Sequence, residues 1–476
     1  MELPPYFNFE PIISAAAELC QEYTVEKIKK SLKPQECPGL NHTLLYNKDG
    51  EIAWRPFELI NPFIYAQCVR LITEEDNWRL VQRRFQSFQG GIVECCSLPV
   101  ACEQEESSKR SQILNWWKTI EQRSIELSFT YSHLTLTDVS NCYPSIYTHA
   151  IAWALHDRDY IKRSKNRFDL GFLGNSIDYL VSASREGQTN GIPQACLLSH
   201  ILAELILGYC DTIINERMPD ELVKRVKILR YRDDYRVFSD SDTNCKTALR
   251  VVSECLNDFG LRLGVAKTEN SKNTIVGAIK QEKLDALGIL RYQKTLQKEL
   301  LLIHRYNLQR PGSGSIKFLL KEFLHRLERR LYQERSKNEN FKVISAILLD
   351  IAAVSPGVFP AVASCISKII AFSDPTAAAE LFKLVCARAE RIPNNGYMQI
   401  WLQRIAKPNQ LEFSYTEKMC RQVDADGGIL WNFDWICDPK IRETIQRYSI
   451  VDVPALSDIS PDIQGNEFDV FWKEYG

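Results

Sequence analysis

Lys227-Ile-Leu-Arg-Tyr-Arg-Asp-Asp-Tyr-Arg-Val-Phe-Ser239 is the stretch from which the rest of the chain can be read. Ile228, Leu229 and Tyr231 lead into the pair Asp233 and Asp234; Tyr235, Val237 and Phe238 lead out. β-Forming residues on both sides of a short polar turn predict a strand–turn–strand hairpin with two adjacent carboxylates at its tip. Adjacent carboxylates repel, so a fold keeps them together where a cation stands between them and something else. Hard divalent cations such as Mg²⁺ take oxygen ligands of this kind, with phosphates completing the shell. A solvated Asp-Asp turn is the plain alternative, and the upstream sequence decides between them.

Ninety-five residues earlier, Tyr131–Asp138 alternates as a strand, with Leu134 and Leu136 on one side and Thr135 and Thr137 on the other. Antiparallel pairing with the hairpin brings Asp138 to the same sheet edge as Asp233 and Asp234. For Asp138 alone a helix N-cap is the competing reading. A polar approach, Arg185–Asn190, precedes Gly191-Ile-Pro193-Gln194, and a long helix, apolar on most faces, is expected from Ala195 to about Asn215. Leu261–Thr268 is read as a short strand with Lys267 near its end.

Together these segments resemble the reverse transcriptase family. Asp138–Tyr143 looks like its motif A, Gly191–Gln194 like motif B, Tyr231–Asp234 like motif C and Leu261–Lys267 like motif D. The Tyr147–His156 approach, Ile60-Asn-Pro62 and a helical C-terminal extension look like the bacterial antiphage-defence, abortive-infection members. The resemblance implies an α+β, right-hand polymerase: fingers at 1–130, palm at 131–300, and an α-helical thumb with a helical array at 301–476. It implies two Mg²⁺ ions, with Mn²⁺ as an alternative, bridged by Asp138 and Asp233 with Asp234 peripheral. Tyr143 falls at the aromatic steric gate, Gln194 at the nucleotide and template edge, and Lys267 at the proton donor or triphosphate ligand. Tyr231, Arg232, Gly191 and Pro193 fall near primer and template. Lys109 and Arg110 are the candidates for the fingers grip on the triphosphate. Deoxynucleoside triphosphates, an RNA template (a noncoding RNA among the options), a DNA product and further copies of the chain are the implied partners. Two positions depart from the pattern: Ala195 follows Gln194 where the family has Gly, and Arg232 stands where it has a small residue. The rivals are a template-independent or protein-primed DNA polymerase, an RNA polymerase with the same palm, and a nucleic-acid scaffold with a relic palm.

Composition bounds the rest. The chain has 476 residues, 45% hydrophobic and 25% charged, with a formal net charge of −1, so any basic surface is local. Residues 301–340 hold nine Lys/Arg against four Asp/Glu, and a basic helix is expected over Ile316–Glu334. The 15 cysteines form no C-x-x-C pair and read as reduced thiols of a cytoplasmic protein. Neither a signal peptide nor a membrane span is expected. Further helices are expected over 8–32, 63–84, 113–127, 148–155, 243–259, 341–353, 358–372, 375–389 and 398–406, a hairpin over 46–54, irregular chain over 90–110 and a charged loop over 157–169.

Overall fold

The computed structural model describes residues 2–49, 51–98, 117–194, 196–289, 295–332, 340–424 and 430–469. Lys109, Arg110 and Ala195 lie outside them, as does part of the expected 113–127 helix.

The chain opens with α1 (Glu10–Leu19), which ends well short of the expected helix over 8–32; 3-10, α and π turns follow to Leu32. The strands β1 (His42–Asn47) and β2 (Trp54–Leu59) pair antiparallel, longer than the hairpin expected over 46–54. The helical stretch after Pro62 is two helices, α2 (Pro62–Thr73) and α3 (Glu75–Ser87), because Glu74 is non-helical and caps the second. Asn61 accepts from the Phe63 amide and Pro62 stands at the first turn, so the Ile60-Asn-Pro62 segment is a helix start.

Six strands form the central sheet: β3 (Val93–Cys95), β4 (His133–Ser140), β5 (Val226–Tyr231), β6 (Asp234–Ser239), β7 (Arg262–Leu263) and β8 (Glu269–Ser271). Their order is β3-β5-β6-β4-β7, with β8 also pairing β4. Strand alternation sorts the side chains into two layers. Ile228, Tyr235, Val237 and Val139 join the main core; Leu229, Phe238 and Leu134 join a smaller cluster on the opposite face. The region expected to be irregular therefore contributes an edge strand, β3, parallel to β5.

Between β4 and β5 run α4 (Ala150–His156), α5 (Arg158–Ile161), α6 (Leu173–Ala183) and α7 (Leu197–Arg217). The expected 157–169 loop thus holds one short helix, and α6 was not anticipated. Helix α7 is long and apolar enough to cross a membrane by length and composition, yet 67% of that window is buried. It packs against α4, β3 and α8 (Asp242–Asn257) as a core helix. Ser241 caps α8 by accepting from the Asn244 amide.

The C-terminal part is helical: α9 (Leu296–Gln309), α10 (Gly314–Tyr332), α11 (Phe341–Val354), α12 (Phe359–Ala371), α13 (Pro375–Ala389), α14 (Gly396–Ala406) and α15 (Pro439–Gln446). These helices stack on one another and close back onto the N-terminus. Phe7 bridges to Val451, His42 bonds Glu417 at 2.9 Å, and the Trp431 indole N–H donates to Leu59 O. The cations of α10 are drawn inward. Lys317 pairs with Glu2, buried Lys321 with Asp469, and Arg326 with Glu299. A solvated basic face is not what this helix presents at those three positions. All described cysteines are free thiols, most of them buried.

Candidate active site

The site is built where β4 meets the β5–β6 hairpin. Tyr231 pairs across the hairpin with Asp234, and Asp234 is in register with Asp138 on β4. All three therefore sit on one face of the sheet. Arg232 and Asp233 form the two-residue turn, and Arg232 adopts a left-handed φ of 55°. That conformation is costly for a long side chain and is what a tight hairpin turn of this kind demands. The turn is held from three directions. The Asp233 carbonyl accepts from the Val139 amide at 2.9 Å, the Arg232 amide donates to Ser97 Oγ at 2.8 Å, and the Arg232 carbonyl accepts from Arg230 Nη1 at 3.0 Å.

Arg230 is the hidden part of this arrangement. It is fully buried on the opposite face, donating to Asp211 Oδ2 at 2.7 Å and to Glu204 Oε2 at 3.0 Å, both on α7. Read along the sequence, a lone Arg in a strand gives no sign of this role.

Electrostatics separate the three candidate carboxylates. Burial raises the Asp233 carboxyl above its ordinary range, and the Asp234 charge adds to it. Burial also raises Asp234, with Lys280 opposing. Asp138 has its Oδ2 in an ion pair with Lys267, while its Oδ1 is buried without a hydrogen-bond partner. Gly264 closes over that oxygen: a Cβ there would stand 2.2 Å from Asp138 Oδ1, and the Gly264 amide donates to the Asp138 carbonyl at 2.7 Å. Lys267 sits in a 3-10 turn after β7, beyond the strand it was expected to end.

Among the described residues no three His, Cys, Asp or Glu side chains stand in a ready metal-binding arrangement. The donor chemistry nonetheless fits a hard divalent cation. Three carboxylates converge, two are held above their usual range by burial and mutual charge, and one buried oxygen lacks a donor.

Tyr143 follows β4 on a short helical turn, Cys142–Ser145. Its hydroxyl is 2.7 Å from His200 Nδ1, with the rings edge to face at 5.9 Å. Burial, reinforced by the Arg232 charge, lowers the His200 pKa to about 4, so the ring is neutral near pH 7. His200, one turn into α7, carried no signal in the sequence. Gly191 has φ +86°, and a Cβ there would meet the Pro144 carbonyl oxygen at 2.9 Å. Its amide donates to Ile146 O, and the Ile192 amide to Tyr143 O. The Gly191–Gln194 segment is thus stitched to the turn that carries Tyr143. Pro193 is buried beside it, and the Gln194 carbonyl accepts from the Glu58 amide at 3.3 Å.

No match is found among curated proteins. Solved structures with a local likeness include apo telomerase from Candida tropicalis, 13% identical over 81% of this chain and 74% of that one, TM-score 0.34. A telomerase from Candida albicans in complex with a fragment of telomeric RNA is 12% identical over 81% of this chain and 68% of that one, TM-score 0.33. Apo telomerase from Candida tropicalis truncated from its C-terminal domain is 12% identical, TM-score 0.32; the alignment covers 48% of this chain and 49% of that one, about half of each. Residues 77–290, from α3 past β8 and so including every segment of the site, match the family model of reverse transcriptase (RNA-dependent DNA polymerase).

Proposed function

We propose that this chain is an RNA-directed DNA polymerase that adds deoxynucleotides to a 3′-hydroxyl at Asp138, Asp233 and Asp234. The observation that carries the reading is the register of Asp138 with Asp234 beside the Asp233 turn, inside the region that matches the reverse transcriptase family. Asp138, Asp233 and Asp234 would hold the divalent cations. Bound there, two Mg²⁺ ions would supply activation of the attacking hydroxyl and charge neutralisation on the leaving pyrophosphate.

The chain's own residues do the rest. The buried Arg230 fixes the carbonyl of Arg232 and so the height of the turn. Tyr143, its hydroxyl tied to His200, presents a ring of fixed orientation where a ribose 2′-hydroxyl would collide. Lys267, the counterion of Asp138, is an exposed ammonium (66% exposed) placed to turn to a triphosphate or to protonate a leaving pyrophosphate. The test is incorporation of deoxynucleotides and ribonucleotides on primed RNA, on primed DNA and without template. Deoxynucleotide addition that needs the RNA template supports the reading. Addition without any template supports the template-independent rival, and ribonucleotide preference the RNA polymerase.

A role in antiphage defence, action as a homo-oligomer in the cytoplasm and a noncoding RNA template belong to the same reading. They rest on the sequence resemblance alone. Phage plating on cells carrying the wild type or Asp233→Asn tests the first; mass in solution and sequencing of copurifying nucleic acid test the oligomer and the template.

A further inference from the structure

A cavity of about 390 Å³ lies between α4, α5 and α6, and none of the candidate catalytic carboxylates lines it. Its volume is in the range of small-molecule sites. Ala152, Trp153 and Ile161, all buried, give it an apolar floor. Lys29 reaches it from the N-terminal region and Lys162 and Arg167 from the turn after α5, and all three are exposed. None of them has a recorded carboxylate partner among the described residues, whereas Lys227, Arg230, Lys267 and Lys283 of the palm do. Lys162 stands over the Trp153 ring at 4.9 Å and Lys29 over the Tyr179 ring at 5.6 Å, so both ammonium groups are held at the cavity by aromatic faces.

The one carboxylate in the lining, Asp178, is bound on Oδ2 by His149 at 2.6 Å. Its Oδ1 is buried without a hydrogen-bond partner, an acceptor waiting for a donor. An apolar floor, three unpaired cations and one buried acceptor ask for a ligand with a flat apolar body, phosphate charge and N–H or O–H donors. A nucleotide has all three. A second concavity, lined by Tyr147, Gln188 and Asn190, shares His149 with the first. It abuts the junction where Tyr147 bridges to Asn190, just before Gly191.

The geometry points to a second nucleotide site, outside the catalytic centre, in which a nucleoside phosphate lies on the Ala152–Trp153–Ile161 floor with its phosphate on Lys29, Lys162 and Arg167. The choice of a nucleotide as the ligand rests on the polymerase reading; the site's polarity does not. The ligand is either free or one unit of a single strand, and the shared groove past Tyr147 gives a strand room to continue.

The experiment uses the full chain carrying Asp233→Asn in chelator, so that binding is read without catalysis. Fluorescence anisotropy follows a short labelled oligo(U) and oligo(dT), with adenosine monophosphate as competitor, at several salt concentrations. Adding Lys162→Glu and Arg167→Glu is expected to weaken oligonucleotide binding and to lower the slope of log affinity against log salt by about one to two. Displacement of the oligonucleotide by the monophosphate, lost in the charge-reversed protein, assigns the site to free nucleotides. Absence of displacement, with the charge effect intact, assigns it to a strand. A charge-reversed protein with an unchanged melting temperature and unchanged affinity for every probe overturns the proposal. If that variant does not fold, Lys162→Gln with Arg167→Gln is read by the same criterion. A chain that adds no nucleotide in the polymerase assay yet shows this charge-dependent binding would defeat the catalytic reading and leave the second site standing.

Discussion

Two acidic clusters sit on opposite faces of the same strand pair; burial raises a carboxyl in each, Asp211 to about 6 on the inner face, and they differ in what neutralises them. On the inner face Glu204 and Asp211 are both bonded to the buried guanidinium of Arg230. On the outer face Asp233 and Asp234 adjoin each other and Asp138; burial raises both, with the Asp234 charge adding at Asp233 and Lys280 opposing at Asp234. The inner charges are spent on holding the hairpin. On the outer side the exposed Lys267 is the counterion of Asp138. Carboxylates raised above their ordinary range in a partly open position are where a cation or substrate is expected to act.

The contrast breaks first at Arg230. Arg230→Met leaves Glu204 and Asp211 buried without their counterion, and is expected to lower stability by about 3–5 kcal/mol. Urea unfolding checks this. A loss below about 1 kcal/mol would mean that the inner cluster is not the scaffold.

Next comes Gly264. Gly264→Ala puts a methyl group against Asp138 Oδ1, where something must shift. An overpacking cost of about 1–3 kcal/mol is expected, with nucleotide addition reduced more than binding of a primed template. Equal kinetics in wild type and variant would show that the close approach has no bearing on the site.

The outer face responds to removal of charge in the other direction. The folded chain raises the Asp233 and Asp234 carboxyls above their unfolded value of about 3.9. The folded state therefore binds protons more tightly there. The contribution of these groups to stability falls as pH rises from the unfolded value through the raised one, and is recovered as pH falls again. Asp233→Asn should raise the melting temperature at pH 7 in chelator and flatten that part of the stability profile. A lower melting temperature for Asp233→Asn would place the outer carboxylates with the scaffold.

The smallest effect expected is on sugar choice. Tyr143→Val should admit ribonucleotides, since the ring proposed to meet the 2′-hydroxyl is gone. His200→Ala, which frees the Tyr143 hydroxyl but leaves the ring, should relax selection less. Matched incorporation ratios order the three proteins; a larger effect from His200→Ala than from Tyr143→Val would reverse the assignment.

What could be read from the sequence follows the range of the contacts involved. The hairpin, the strand ending near Asp138 and the buried helix α7 are announced by local alternation and apolar content, and the register of Asp138 with Asp234 follows from them. Strand β3 is three residues long and exists because β5 offers it an edge, so no local pattern reveals it. Arg230 looks like a solvated strand residue until Glu204 and Asp211 arrive from α7. His200 and Gly264 matter only through partners 57 and 126 residues away in sequence, Tyr143 and Asp138. The closure of the C-terminal helices on the first 60 residues, through His42–Glu417 and Trp431–Leu59, is beyond any window of periodicity.

The central claim is that Asp138, Asp233 and Asp234 together carry the chemistry. The most direct measurement is deoxynucleotide addition to a primed RNA template as Mg²⁺ is titrated, in the wild type, Asp138→Asn and Asp233→Asn. The account predicts addition that rises with Mg²⁺ and vanishes in chelator for the wild type, and a loss of roughly 10³-fold or more in both variants. Addition by the wild type that persists in chelator, or wild-type rates in either folded variant, would contradict it.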